Sequence, residues 1–113
     1  MDFDRFTVGL LVLRDDAPLM SEAEAAGLQD AHMSHLADLH LSGHLPAAGP
    51  LFDDRYRGLL IFNADGETSR QLMEDDPAVR AGRFEFLVLP WMVPGGAVQF
   101  STTTFPRSMA EAG

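Results

Sequence analysis

Residues 21–43 read Ser-Glu-Ala-Glu-Ala-Ala-Gly-Leu-Gln-Asp-Ala-His-Met-Ser-His-Leu-Ala-Asp-Leu-His-Leu-Ser-Gly, and the spacing of their apolar positions decides the fold. Ser21 suits a helix N-cap. Glu24, three residues on, completes a capping box, in which each residue's side chain satisfies the other's free backbone N–H. Glu22 and Glu24 also put negative charge at the positive end of the helix dipole. The pattern predicts a helix over 22–41 that stops at Ser42-Gly43, where glycine accepts the left-handed terminal geometry. Ala25, Leu28, Leu36 and Leu39 recur at helical spacing and wind onto one core-facing stripe. His32 stands midway between Leu28 and Leu36 on that stripe. His35 lies on its edge, and Met33 and His40 fall toward the flank.

Outward from this helix the chain alternates strand and helix signals. Before it, Phe6 to Leu13 is a continuous apolar, partly β-branched run bounded by Arg14-Asp15-Asp16, which reads as a strand covered on both faces. After it, His44 to Phe52 reads as an edge strand or bulged ribbon, because Pro46 and Pro50 cannot donate to a ladder. Asp53 to Arg57 form a polar turn. Gly58 to Phe62 is a second strong strand, closed by the turn residues Asn63-Ala64-Asp65-Gly66. Glu67 to Glu74 predict a short helix. Asp75-Asp76-Pro77 break it, since proline disfavours helix at the residue before it. One further turn follows over Ala78 to Ala81. Phe84 to Leu89 is a third strong strand, the β-forming Ala97 to Thr104 predict an extra C-terminal strand, and Pro106 to Gly113 a frayed tail.

The order is that of an α+β, ferredoxin-like βαββαβ sandwich with an extra C-terminal strand. Its helices cover one face of the sheet. The other face, if apolar, needs a cover, and in so short a chain a second copy supplies it, so a homodimer is expected, with larger assemblies compatible.

Composition narrows the function classes. The 113 residues suit one domain, and the chain has 46% hydrophobic residues with eight Phe, enough for a core. Eight basic against seventeen acidic residues give a net charge of −9, which repels phosphate backbones and anionic lipid heads; no nucleic-acid or membrane partner is expected. Without cysteine, disulfides, thiolate catalysis and zinc-thiolate sites are excluded. No basic leader precedes Val8 to Leu13 and no apolar run approaches a membrane span, so a cytoplasmic location is expected.

Several short pieces together resemble the YciI-like family. Ala31-His32-Met33-Ser34-His35-Leu36, Leu39, Gly43-His44-Leu45 and Ala48-Gly49-Pro50 are similar to its first half. Asp76-Pro77-Ala78-Val79-Arg80-Ala81-Gly82, a strand and Pro90-Trp91 resemble its second. The resemblance spans residues 6–92 of a single domain over 1–113 and leaves 93–113 as a C-terminal extension. It implies a subunit of the dimeric α/β-barrel type and a histidine–aspartate pair as the site. His32 matches the family histidine by its distance from Gly43, and Asp76 matches the aspartate. His35 and Pro50 are the implied substrate contacts. One protein type in the family removes chloride from a chlorinated hydroxyquinol. Ala78 departs from the pattern, standing where an aromatic is frequent.

The residue types support that chemistry. Histidine is the side chain whose ordinary pKa lets it take and give a proton near neutrality, and a carboxylate on one ring nitrogen raises the basicity of the other. His32 as general acid/base with Asp76 orienting it is therefore the expected enzyme site, acting on a small organic molecule by elimination or hydrolysis. The competing reading is a core histidine bonded to a backbone carbonyl. Asp75 is an equal neighbour to Asp76 in sequence. His32-x-x-His35 has the spacing of two metal ligands on one helical face, but no His-Glu-x-x-His motif accompanies it, and neither metal nor cofactor is expected. Gly95-Gly96 opens no helix and is not a phosphate loop. A non-catalytic ligand-binding protein and a haem- or quinol-handling monooxygenase are the other functions compatible with the architecture.

Overall fold

The computed structural model describes residues 1–113. Its elements are β1 (Phe3–Leu13), α1 (Glu22–Leu41), β2 (Ala47–Pro50), β3 (Tyr56–Phe62), α2 (Gly66–Glu74), α3 (Pro77–Arg80), β4 (Phe84–Pro94) and α4 (Met109–Ala112). One four-stranded antiparallel sheet has the order β2-β3-β1-β4, the ferredoxin-like arrangement. No helix is long and apolar enough to cross a membrane.

The capping box forms as the sequence requires: Glu24 N–H donates to Ser21 Oγ and Ser21 N–H to Glu24 Oε1. The Ser21 backbone N–H, and after it the Ser21 hydroxyl, hold the Glu24 carboxyl below the usual carboxylate range. At the other end Gly43 has φ +86°, which only glycine adopts without strain, and the chain turns so that Leu45 drops into the core with no exposed surface. The inward stripe is His32 and Leu39, buried, with Leu28 and Leu36 half-buried; Ala37 is also buried, whereas Ala25 and the rest of the first turn are exposed.

The core under the helices is Leu11, Leu39, Leu45, Leu60, Phe62, Met73, Ala78 and Phe84. Strand alternation puts Gly9 on this same side, where it makes room for aromatic rings. A Cβ added at Gly9 would lie 2.5 Å from Phe86 Cζ and 3.1 Å from Phe62 Cε2, and those two rings pack edge to face with centroids 5.9 Å apart. Gly9→Ala is therefore expected to destabilise the fold by about 1–3 kcal/mol, the usual cost of overpacking. Urea unfolding should show a lower midpoint at an unchanged slope; an unchanged midpoint would mean the rings move aside freely.

The alternate residues form the opposite face. Val8 pairs with Ile61 and Leu89, and Leu10 with Leu59 and Leu87. No helix covers this apolar face, and Leu87 and Leu89 are 41% and 50% exposed.

Two sequence expectations fail, both in the extension. Residues 97–104 do not form an extra strand, and the tail is not frayed. After β4, Gly95 N–H donates to the Asp2 carbonyl and Gly96, at φ +80°, donates to Asp4 Oδ2, which turns the chain out of the sheet, and it pairs with no strand thereafter. Phe100 then packs edge to face on Phe6, with ring centroids 5.6 Å apart, and Phe105 stacks on His40 at 3.9 Å. These side-chain anchors outweigh the β propensity of Ser101 to Thr104, which reports fit to a pleated surface rather than an intrinsic backbone preference. The segment crosses α1 as a strap and ends in the short α4, where Met109 N–H donates to Asp30 Oδ1. β1 and β4 also run longer than predicted, forming a two-stranded ribbon at Phe3–Phe6 and Trp91–Pro94. Pro90 and Pro94 are tolerated because β4 is an edge strand and pairs only with β1.

Candidate active site

Asp76 is built into the structure twice over. It N-caps α3, with Pro77 at the first helical position, and its Oδ2 accepts hydrogen bonds from Ala78 N–H (3.0 Å) and Val79 N–H (3.2 Å). Its side chain has no exposed surface, so it needs a further polar partner. His32 supplies it from α1: Nδ1 lies 2.8 Å from Oδ1 and 3.0 Å from Oδ2. A carboxylate already accepting two backbone N–H groups acts as an acceptor here as well, so Nδ1 carries hydrogen and donates.

That geometry leaves Nε2 of His32 as the free end of the ring. The His32 side chain is 8% exposed, Nε2 makes no hydrogen bond, and no buried side-chain nitrogen or oxygen lacks a partner; Nε2 therefore reaches solvent. The backbone-bonded core histidine is thus not what the structure contains. Phe84, at the start of β4, flanks the ring with centroids 6.3 Å apart.

His35, one turn along α1, faces the same carboxylate, its Nδ1 3.8 Å from Asp76 Oδ1. That is an electrostatic approach and too long for a hydrogen bond. His35 also lines an open groove of about 500 Å³ between α1 and the α2–α3 connection, together with Ala31, Ser34, Asp38, Leu39, Asp75 and Pro77. Asp75, indistinguishable from Asp76 in sequence, is exposed and pairs with Arg80 at 2.9 Å. The two adjacent aspartates thus have different environments.

The structure brings His32, Asp76 and His35 together and leaves Pro50 apart. Pro50 is exposed at the end of β2, an edge strand separated from β4 by β3 and β1, and does not line the groove. Two residues at the groove escaped the sequence reading: Ser34, and Arg107 of the strap, which bonds to Ser34 and Asp38. No local pattern marks Arg107, because its position depends on where the extension docks. Both candidate imidazoles present Nδ1 to Asp76, and no three His, Asp or Glu side chains are placed to hold a metal ion.

Sheet order and helix placement define a ferredoxin-like α+β fold, here with a buried histidine–aspartate pair joining α1 to α3. The YCII-related domain matches residues 9–92, most of the chain, and the protein belongs to that family. Among solved structures the fold is similar to that of 5-chloro-2-hydroxyhydroquinone dehydrochlorinase (TftG) from Burkholderia phenoliruptrix AC1100, in complex with 2,5-dihydroxybenzoquinone. The TM-score is 0.59 at 20% sequence identity, over 76% of this chain and 92% of that one. No curated protein matches the sequence.

Proposed function

We propose that the protein is an enzyme acting on a small organic molecule, in which His32 transfers a proton through Nε2 and Asp76 holds the ring. The observation that carries this is the free, solvent-reaching Nε2 on an imidazole whose other nitrogen is tied to a fully buried carboxylate. Asp76 fixes the tautomer, so Nε2 presents a lone pair, and it stabilises the imidazolium formed when that lone pair takes a proton. In an elimination, Nε2 takes hydrogen as a proton, the electron pair left behind forms the new π bond, and the leaving group departs with its own pair. Hydrogen and leaving group are lost together, and no oxidant or reductant is needed.

Similarity to a dehydrochlorinase makes elimination from a halogenated hydroquinone the first reaction to try. The assay follows chloride release from 5-chloro-2-hydroxyhydroquinone together with quinone absorbance. Release that depends on His32 supports the reading; no release above the buffer rate at high enzyme concentration removes this substrate class. A non-catalytic ligand-binding role is the second reading, favoured by a groove that His35 lines and neither His32 nor Asp76 does.

The working form is a homodimer joined through the uncovered face of the sheet. Val8, Leu10, Leu59, Ile61, Leu87 and Leu89 make that face apolar, and a second copy buries it by matching like with like. Sedimentation should give two chains for the native protein and one for Leu89→Glu, which puts a charge into the apolar contact. A native protein that sediments as one chain at micromolar concentration would refute the dimer.

A further inference from the structure

The strap lies beyond the residues shared with the family, yet its Arg107 bonds to two residues that line the groove. Its path is fixed by side-chain contacts. Phe105 stacks on His40 with ring planes 9° apart, the His40 ring nitrogens lie 2.7 Å from the Leu45 carbonyl oxygen and 3.1 Å from that of Thr103, and Arg107 N–H donates to Glu111 Oε2. So held, Arg107 donates from Nη1 to Ser34 Oγ (3.1 Å) and pairs through Nη2 with Asp38 (2.9 Å). Ser34 and Asp38 both line the groove that His35 faces.

A guanidinium has five N–H donors in a planar fork, and these two contacts leave three uncommitted on a side chain that is 41% exposed. The other carboxylates beside the groove already have partners: Asp75 has Arg80, and Asp76 has His32. Asp38 is mostly exposed, and a solvent-facing pair of this kind is weak enough for a ligand to displace. We propose that Arg107 is a specificity-determining residue, delivered by the strap so that the groove selects a small organic anion, a carboxylate or phenolate. Ala31, Leu39 and Pro77 give the carbon skeleton apolar contact, and His35 offers a second polar group. The inference rests on the groove being the substrate site, but its test needs no turnover.

The full-length protein is titrated with 4-hydroxybenzoate and, separately, with the neutral 4-hydroxybenzamide, following the backbone amides of Ala31, Ser34 and His35 by NMR. 4-Hydroxybenzoate should shift those amides and bind at least about tenfold tighter than the amide, as charge-assisted hydrogen bonds allow. Arg107→Gln should abolish the preference. Asp38→Asn, which removes a competing carboxylate and leaves the Ser34 contact, should strengthen it, and this separates loss of the guanidinium from loosening of the strap. Equal binding of both probes, no shift at those amides from either, or a preference that survives Arg107→Gln overturns the inference. A native protein that shows the anion preference but releases no chloride would instead sink the proposed elimination alone.

Discussion

His32→Gln should lower turnover by about 10²- to 10⁴-fold while the protein stays folded. The range is what a positioned general acid/base contributes. Glutamine suits the test because its amide can still donate a hydrogen bond to Asp76, whereas alanine would leave that buried carboxylate short of a partner. The substitution therefore removes the titrating ring and keeps the link from α1 to α3. Steady-state chloride release, with thermal unfolding run in parallel, checks it. Activity within about threefold of the native protein would show that Nε2 takes no part in the rate-determining proton transfer, and would favour the ligand-binding reading.

Asp76→Ala carries the largest expected effect on stability, about 3–5 kcal/mol, as for other buried charge pairs broken from one side. The change strands the Ala78 and Val79 N–H groups at the start of α3, leaves His32 Nδ1 without an acceptor, and opens a void where no surface was exposed. The unfolding temperature should fall by more than about 10 °C, since each kcal/mol moves a domain of this size by several degrees. Asp76→Asn keeps an oxygen to cap α3 and an amide of nearly the same volume, so it should cost less stability than alanine while still losing the negative charge behind His32. If the alanine variant melted within about 2 °C of the native protein, the two roles assigned to this carboxylate would both be wrong.

Much of the site was legible because it depends on local rules. Helical spacing places His32 on the inward stripe, whereas Asp75-Asp76-Pro77, which in sequence reads as a break after the preceding helix, proves to be the capped start of α3 with proline at its first position. The choice between Asp75 and Asp76 was not legible. It is made by tertiary packing, which points one side chain at α1 and the other at solvent. The strap was misread for a related reason. Ser101 to Thr104 have strand-forming composition, but a strand needs a partner edge, and the turn at Gly95-Gly96 carries the chain out of the sheet. Ring contacts at Phe100 and Phe105 then fix the path, and the sequence separation of Phe6 from Phe100 and of His40 from Phe105 hides them from any local pattern.

Phe100, seated on Phe6, gives the uncovered side of the sheet a raised sill at one end. In the proposed dimer a second copy would have to fit around that sill, which a chain without the C-terminal extension would not present.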